Sequence, residues 1–529
     1  MATLSAISRR TFADSRARNG SFALFFALLA YAQPTAYRSA YPTLHERLSF
    51  STSFGANKAV RLFYGVPHDL LSVGGYSAWR VGGLMSIFAG MWGVLAAVRA
   101  LRAEEEAGRQ ELVLAGLTTR ATAFAAALVA IGAGVAALWL ATFAGLLAGG
   151  LPGGGSAYLA LATVSPALVF AGVGALASQL APTRRLASEI GSSALVVMLL
   201  VRVIADTASN LDWLRWATPL GWVEELRPFA TPQPAVLILP VLFGALLLLA
   251  AAKIAVRRDV GNGLLQAADS ATPDPRLLSS PTALALRGDR GSLLGWLIGV
   301  GSFALIIGLL SHSFSNASIS PALREQLHKL GGASITTPSG ALGFYFLFFI
   351  LVIGLFVCSQ ITGARREEAD QQLETLFALP VSRRSWLWGR LLLASGEAGV
   401  LAILAGVLAW AGAASQGGGV SLARMLEAGA NILPAALLFL ALGALAFALL
   451  PRASVGVTYA IVCVAFVWEL FGALLGAPAW TLTLSPFHDV GLVPAQAFKA
   501  PAAVTMLAIA ALATAAATRI FQWRDLTGS

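Results

Sequence analysis

The chain reads as an all-α polytopic membrane protein made of two tandem six-helix halves, and three observations predict it. Hydrophobic residues fill 57% of the 529 positions and charged residues only 12%, about half the charge of a soluble chain of this length. Apolar runs recur that are each long enough to cross a hydrocarbon layer, which takes about 20 helical residues. They are continuous and rich in Ala, Leu and Gly, without the two-residue alternation of a barrel. Landmarks of the first half then return in the second, in the same order.

About twelve stretches qualify as spans: 20–37, 77–101, 121–149, 156–180, 186–205, 235–256, 292–311, 341–362, 386–412, 429–450, 453–473 and 500–521. Arg9, Arg10, Arg16 and Arg18 precede the first, and Ala30-Tyr31-Ala32 resembles a secretory cleavage site. An uncleaved span is the better reading. The same layout recurs where no leader is needed, with Arg290-Gly291-Ser292 before span seven as Arg18-Asn19-Gly20-Ser21 stands before span one. Residues 4–18 and 281–290 are expected as short amphipathic helices lying in the interface. Long outer loops follow spans one and seven, at about 38–76 and 312–340. Trp213, Trp216 and Trp222 suit an outer aromatic belt, in a loop able to dip back into the membrane. Cys358 and Cys463 fall inside spans and imply no disulfide framework.

Both termini placed in the cytoplasm send most of the 36 Lys and Arg residues to that side, Arg184-Arg185, Arg257-Arg258 and Arg365-Arg366 among them. The net charge of +10 is then largely topological. Basic residues scattered at helix ends form no stripe, which argues against nucleic acid as a partner.

The repeated landmarks set the domain boundaries. Pro182-Thr183-Arg184 matches Pro451-Arg452, Thr218-Pro219 matches Ser485-Pro486, and Arg258-Asp259 matches Arg524-Asp525. The expected division is a first half at 1–258, a cytoplasmic linker with the second interfacial helix at 259–290, and a second half at 291–529. Two copies with the same orientation imply a pseudo-twofold axis along the membrane normal.

The densest polar segments are also duplicated. Residues 104–120 read EEEAGRQELVLAGLTTR and residues 367–384 read EEADQQLETLFALPVSRR, each between the second and third span of its half. Glu105-Glu106-Ala107 aligns with Glu367-Glu368-Ala369; after a one-residue slip, Glu111 aligns with Glu374 and Arg120 with Arg383. Apolar residues follow the carboxylates at helical spacing: Leu112, Val113 and Leu117 in one copy, Leu373, Leu376, Phe377 and Pro380 in the other. A short amphipathic helix flanked by opposite charges can enter a groove on a partner, with the charges setting register. A single copy would pass for an interfacial loop with snorkelling arginines. Two at equivalent positions favour docking.

The pattern EExGxxELLLAxPxxR, which these patches approach, resembles the coupling region of bacterial type-2 ABC exporter permeases. Ser280-Pro281, Ala283-Leu284-Ala285-Leu286-Arg287 and Gly291-Ser292-Leu293-Leu294-Gly295-Trp296 resemble one branch, the actinobacterial exporters of polyketide antibiotics, tetronasin-type exporters included. The resemblance implies a permease in the bacterial plasma membrane, driven by two copies of a cytoplasmic ABC ATPase that bind ATP and Mg. Glu104, Glu105, Glu106, Glu111 and Arg120 would meet one ATPase; Glu367, Glu368, Glu374 and Arg383 would meet the other. It also implies an amphiphilic small-molecule substrate and, as pathway-lining residues, Phe88, Trp92 and Phe466. Gly116-Leu117 stands where the second copy has Leu379-Pro380, so the two docking faces need not be equivalent.

No engine is encoded here. A phosphate-binding loop needs glycines followed by Lys and Ser or Thr, and none of Lys58, Lys253, Lys329 and Lys499 follows a glycine. His45, His68, His312, His328 and His488 lack metal-ligand spacing. The chain is therefore expected to hold no catalytic site, metal or cofactor of its own. Charges inside spans do call for a role. Arg202 and Glu469 sit at matching heights and could pair across the pseudo-twofold as an outer gate; alternatively Arg202 pairs locally with Asp206. Glu397 lies deeper, in span nine, as a pathway or bundle residue. The main alternative function is a twelve-span ion-gradient transporter. The commonest such class carries a Gly- and Arg-rich loop between spans two and three, where this chain has glutamates. A non-transporting immunity or signalling protein is the third class.

Overall fold

The computed structural model describes residues 2–55, 61, 64–116, 118–207, 210–259, 263–265, 280–315, 337–471, 479–483 and 485–526. Among them regular structure is helical throughout, and the chain divides into two compact units, Met1–Ala271 and Thr272–Ser529.

The first unit comprises α1 (Ala2–Ala40), α2 (Leu44–Gly55), α3 (Val73–Val98), α4 (Arg109–Leu114), α5 (Arg120–Ala148), α6 (Gly153–Leu180), α7 (Arg184–Thr207), α8 (Pro219–Glu225) and α9 (Ile238–Arg257). Ser72, Thr119 and Thr218 accept backbone N–H groups at the starts of α3, α5 and α8, satisfying donors that helix geometry leaves orphaned. At its far end α3 continues through a π turn, Arg99–Ala103, into Glu104–Glu106. The tightest pairings are α1 on α5, α3 on α6 and α9 on α6. Small residues allow this closeness: a Cβ on Gly93 of α3 would run into the Ala167 carbonyl of α6.

The second unit comprises α10 (Pro281–Ser315), α11 (Pro338–Ala369), α12 (Gln372–Phe377), α13 (Arg383–Ser415), α14 (Leu422–Ala430), α15 (Leu433–Leu449), α16 (Ser454–Phe471), α17 (Pro486–Asp489) and α18 (Ala500–Trp523). Thr337, Ser382 and Ser421 cap α11, α13 and α14. Here α10 packs on α13, α11 on α15 and α18 on α15. Counted by span order, that is the scheme of the first unit: first on third, second on fourth, sixth on fourth.

Ten helices among the described residues are long and apolar enough to cross a membrane. They coincide with ten of the twelve expected spans, so the chain is a multi-pass α-helical membrane protein. The expected span 453–473 falls in α16, whose apolar stretch Ser454–Glu469 is shorter. The expected span 20–37 falls in α1 and is not among the ten; Gln33, Pro34 and Thr35 interrupt its apolar run.

Two expectations need correcting. Residues 4–18 and 281–290 are not separate interfacial helices; each is the leading part of one unbroken helix, α1 or α10. Gly20, Gly288 and Gly291 each cost a helix only about 1 kcal/mol, too little to end one embedded in a packed bundle. Trp222 is no belt residue either. It is buried, 8% exposed, whereas Trp213 and Trp216 are 63% and 48% exposed. Its indole N–H donates to the Trp216 carbonyl at 2.7 Å, fixing α8 inside the unit. Of the expected linker, residues 260–262 and 266–279 lie outside the described residues, as does most of the loop expected at 312–340.

Candidate functional site

The two acidic patches are held by the same wiring. In the first unit Glu105 is buried at 6% exposure, beside the equally inaccessible Arg102 at 3.0 Å. Arg258, at the end of α9, reaches the same carboxylate at 2.7 Å, and its Nε donates to Gln179 Oε1 at 3.2 Å. Arg102 also donates to the Pro182 carbonyl. Arg120, opening α5, donates to the Arg258 carbonyl at 2.6 Å. The ends of spans two, three, four and six are thus tied at one carboxylate. A buried ion pair is best tolerated where further hydrogen bonds help satisfy the charges, a part taken here by Gln179 and the Pro182 carbonyl.

In the second unit Glu368 is buried at 2% exposure and receives two hydrogen bonds from Arg524, at 2.6 and 2.9 Å. Arg365 lies 3.4 Å from it, and Arg383 donates to the Arg524 carbonyl. The equivalent pairs are therefore Arg102 with Arg365, Glu105 with Glu368 and Arg120 with Arg383, each 263 positions apart. This corrects the sequence alignment: no slip is needed, and Glu104-Glu105 answers Glu367-Glu368. The turn between span and short helix has the same shape in both, with positive φ at Gly108 (69°) and at Gln371 (60°), also 263 apart. Thr119 and Ser382, the caps that follow, keep the register.

The remaining patch residues divide by where they point. Glu104 pairs with Arg109 at 2.6 Å in a partly exposed bridge. Glu106 is exposed and accepts the Arg184 backbone N–H at 3.0 Å, steadying the start of α7. Glu367 contacts Arg390, which also holds Asp289 at 2.8 Å. Glu111 and Glu374 stand exposed in the first turns of α4 and α12. Large apolar side chains are exposed nearby, Leu112 at 76% and Leu379 at 58%. Beneath these surfaces the copies differ. Leu373 of α12 is buried at 1% exposure, and Phe377 packs edge-on against Trp386 and Phe521. No residue of α4 is buried. Leu117 lies outside the described residues.

The pathway candidates are dispersed. Phe88 is half-buried and packs edge-on against Phe25 at 5.1 Å. Trp92 is buried, and its indole N–H has no hydrogen-bond partner. Phe466 packs against Phe348 and Phe487, both at 5.4 Å. Arg202 is wholly buried and joined to Asp206 at 3.3 Å and Glu224 at 2.6 Å, with the Gly83 carbonyl accepting at 3.1 Å. Glu469 lies 3.4 Å from His488. Each half of the expected gate pair thus has a partner in its own unit. Glu397 is buried, and neither carboxylate oxygen has a partner. Sequence reasoning missed Glu224, which reads as an ordinary loop residue, and the anchoring role of Arg258 and Arg524. For those two the signal existed: they were matched landmarks at span ends, unconnected to the patches until the fold joined them.

Fold and site together define a multi-pass α-helical membrane protein whose two units present matched polar patches between their second and third long apolar segments. A family model described as multidrug efflux system permease Rv1217c, C-terminal domain, matches residues 54–257 and 278–522. Over 515 residues the chain is 30% identical to the multidrug efflux system permease protein Rv1217c of Mycobacterium tuberculosis (strain ATCC 25618 / H37Rv), covering 96% of this chain and 92% of that protein. The chain belongs to this family of multidrug efflux permeases, a family of transport components rather than enzymes.

Proposed function

We propose that the chain is the membrane subunit of an ATP-driven exporter of amphiphilic small molecules, of the type-2 ABC class. Two copies of a separate cytoplasmic ATPase, binding ATP and Mg, would dock on α4 and α12. One observation carries this reading: each unit hangs a short helix from a buried glutamate–arginine knot, with a glutamate exposed in the helix's first turn. Because the knot gathers the ends of several spans, a push on the short helix reaches them together. Glu104, Glu106, Glu111 and Leu112 on one side, and Glu367, Glu374 and Leu379 on the other, make the contact surface. In this reading Glu105, Glu368, Arg120 and Arg383 transmit the push and do not touch the partner. Both termini then lie in the cytoplasm, and narrower kinship to the polyketide-antibiotic exporters would place the substrate among such metabolites.

Co-purification with the ATPase tests it. Alanine at Glu111 and Glu374 together should lower ATPase recovery and abolish substrate-stimulated hydrolysis while the chain stays folded. Unchanged recovery and hydrolysis would refute the docking surfaces.

An ion-gradient transporter is the second reading. Glu397, buried without a partner, is the kind of group a proton-coupled carrier uses. Export that stops with a protonophore and survives loss of the ATPase would favour it.

A further inference from the structure

In the first unit, Arg18 and Asn19 of α1, Trp92 of α3, Arg99 of the π turn that follows it, and Ala130 and Ile131 of α5 line a cavity of about 30 Å³. Three polar atoms at its wall lack any hydrogen-bond partner: Arg18 Nε, Asn19 Oδ1 and Trp92 Nε1. Asn19 is only 5% exposed and Trp92 1%, so solvent at the surface does not satisfy them. Buried polar groups are ordinarily paired, and three exceptions around one space point to a ligand. The Asn19 amide nitrogen donates to Ser15 Oγ at 3.2 Å, which leaves its oxygen as the acceptor. Gly134 keeps the space open, since a Cβ there would press on the Trp92 ring and lie 3.4 Å from Asn19 Nδ2.

The wall itself carries two arginines and two carboxylates, and with the cavity beside it six arginines face three carboxylates. Burial first, then the like charges of Arg99 and Arg184, hold the Arg18 guanidinium below its ordinary pKa. Of the two carboxylates on the wall, Glu104 is bridged by Arg109 at 2.6 Å, while Asp14 lies 4.0 Å from Arg10 in an exposed pair. The cavity shares Thr11, Asp14, Ala100 and Glu104 with a second, of about 70 Å³, that also touches Arg120 and Arg258. Together they have room for more than water. Beyond the arginines, α1 exposes Leu24 and Leu28, and α5 exposes Val129 and Leu140.

We propose that this cavity binds the phosphate head group of an anionic membrane phospholipid, with its acyl chains along the exposed apolar side chains of α1 and α5. Phosphate oxygens accept from Trp92 Nε1–H and Arg18 Nε–H, and a head-group hydroxyl donates to Asn19 Oδ1. Clustered arginines at a helix boundary are suited to such lipids. The site needs no ATPase, so it stands or falls apart from the docking reading.

The test is native mass spectrometry of the full-length chain, released from bilayers of equal parts phosphatidylglycerol and phosphatidylcholine. The wild type should retain phosphatidylglycerol about tenfold over phosphatidylcholine. Trp92→Phe and Arg18→Gln should each remove most of that preference, and Arg185→Gln, on an exposed arginine of α7 paired with Glu189, should not. Should Arg18→Gln fail to fold, Arg18→Lys and Trp92→Phe carry the same comparison. Equal retention of both lipids, or variants that bind like wild type, would overturn the proposal. Displacement of phosphatidylglycerol by millimolar inorganic phosphate would overturn the lipid assignment and leave a free-anion site.

Discussion

Glu105 and Glu368 are the residues on which each patch depends, because each carboxylate neutralises one arginine three residues before it and one brought from the far end of its unit. Removing one partner of a buried pair costs about 3–5 kcal/mol. Glu105→Ala and Glu368→Ala should therefore each lower the unfolding temperature of the detergent-purified chain by many degrees, read by thermal melting. Glu111→Ala and Glu374→Ala should leave that temperature in place and act only on partner recovery. A matching fall for all four would mean that the patches are structural throughout. Gln371 sits at φ 60°, where a side chain costs about 1 kcal/mol and glycine nothing. Gln371→Gly should raise the melting temperature slightly, as Gly108 already does for the first copy. Which of three consecutive glutamates turns inward could not be read from the chain. The π turn at Arg99–Ala103 adds a residue to one helical turn and rotates everything after it, so the apolar phase of span two does not extrapolate into the patch.

At the level of elements, α4 and α12 look alike in sequence and differ in support. Leu112→Asp on α4 and Leu379→Asp after α12 change exposed positions; both should weaken ATPase recovery with little effect on folding. Leu373→Asp should instead unfold the α12 end of its unit, because Leu373 is buried against the core. Expression level and melting temperature separate the two outcomes. The long helices were legible because apolar content over a membrane-length window is a strong signal. Their ends were less so. Glycine before an apolar run looks like a boundary, yet in α1 and α10 the helix continues through it, since packing outweighs a weak local preference.

For the molecule as a whole, the proposed orientation puts α4 and α12 on the cytoplasmic face and the Trp213 segment on the opposite one. In a background with Cys358 and Cys463 replaced by alanine, cysteines at Glu111 and Glu374 should react with an impermeant maleimide only in inverted vesicles. A cysteine at Trp213 should react only in intact cells. Labelling of both patches from outside would reverse the topology and end the docking proposal.

What the sequence determined by itself is the class: a bilayer solvent demands long apolar helices whose backbone groups are satisfied internally, and that demand is written in composition and run length. It also marked the duplicated patches and the matched arginines at span ends. Only the tertiary structure decided that those arginines close on the patch glutamates, that Arg202 has Glu224 for a partner, and that Asn19 faces Trp92 across one cavity. Each of these joins residues far apart in the chain, and such a contact depends on helix phase and packing, which no local pattern encodes.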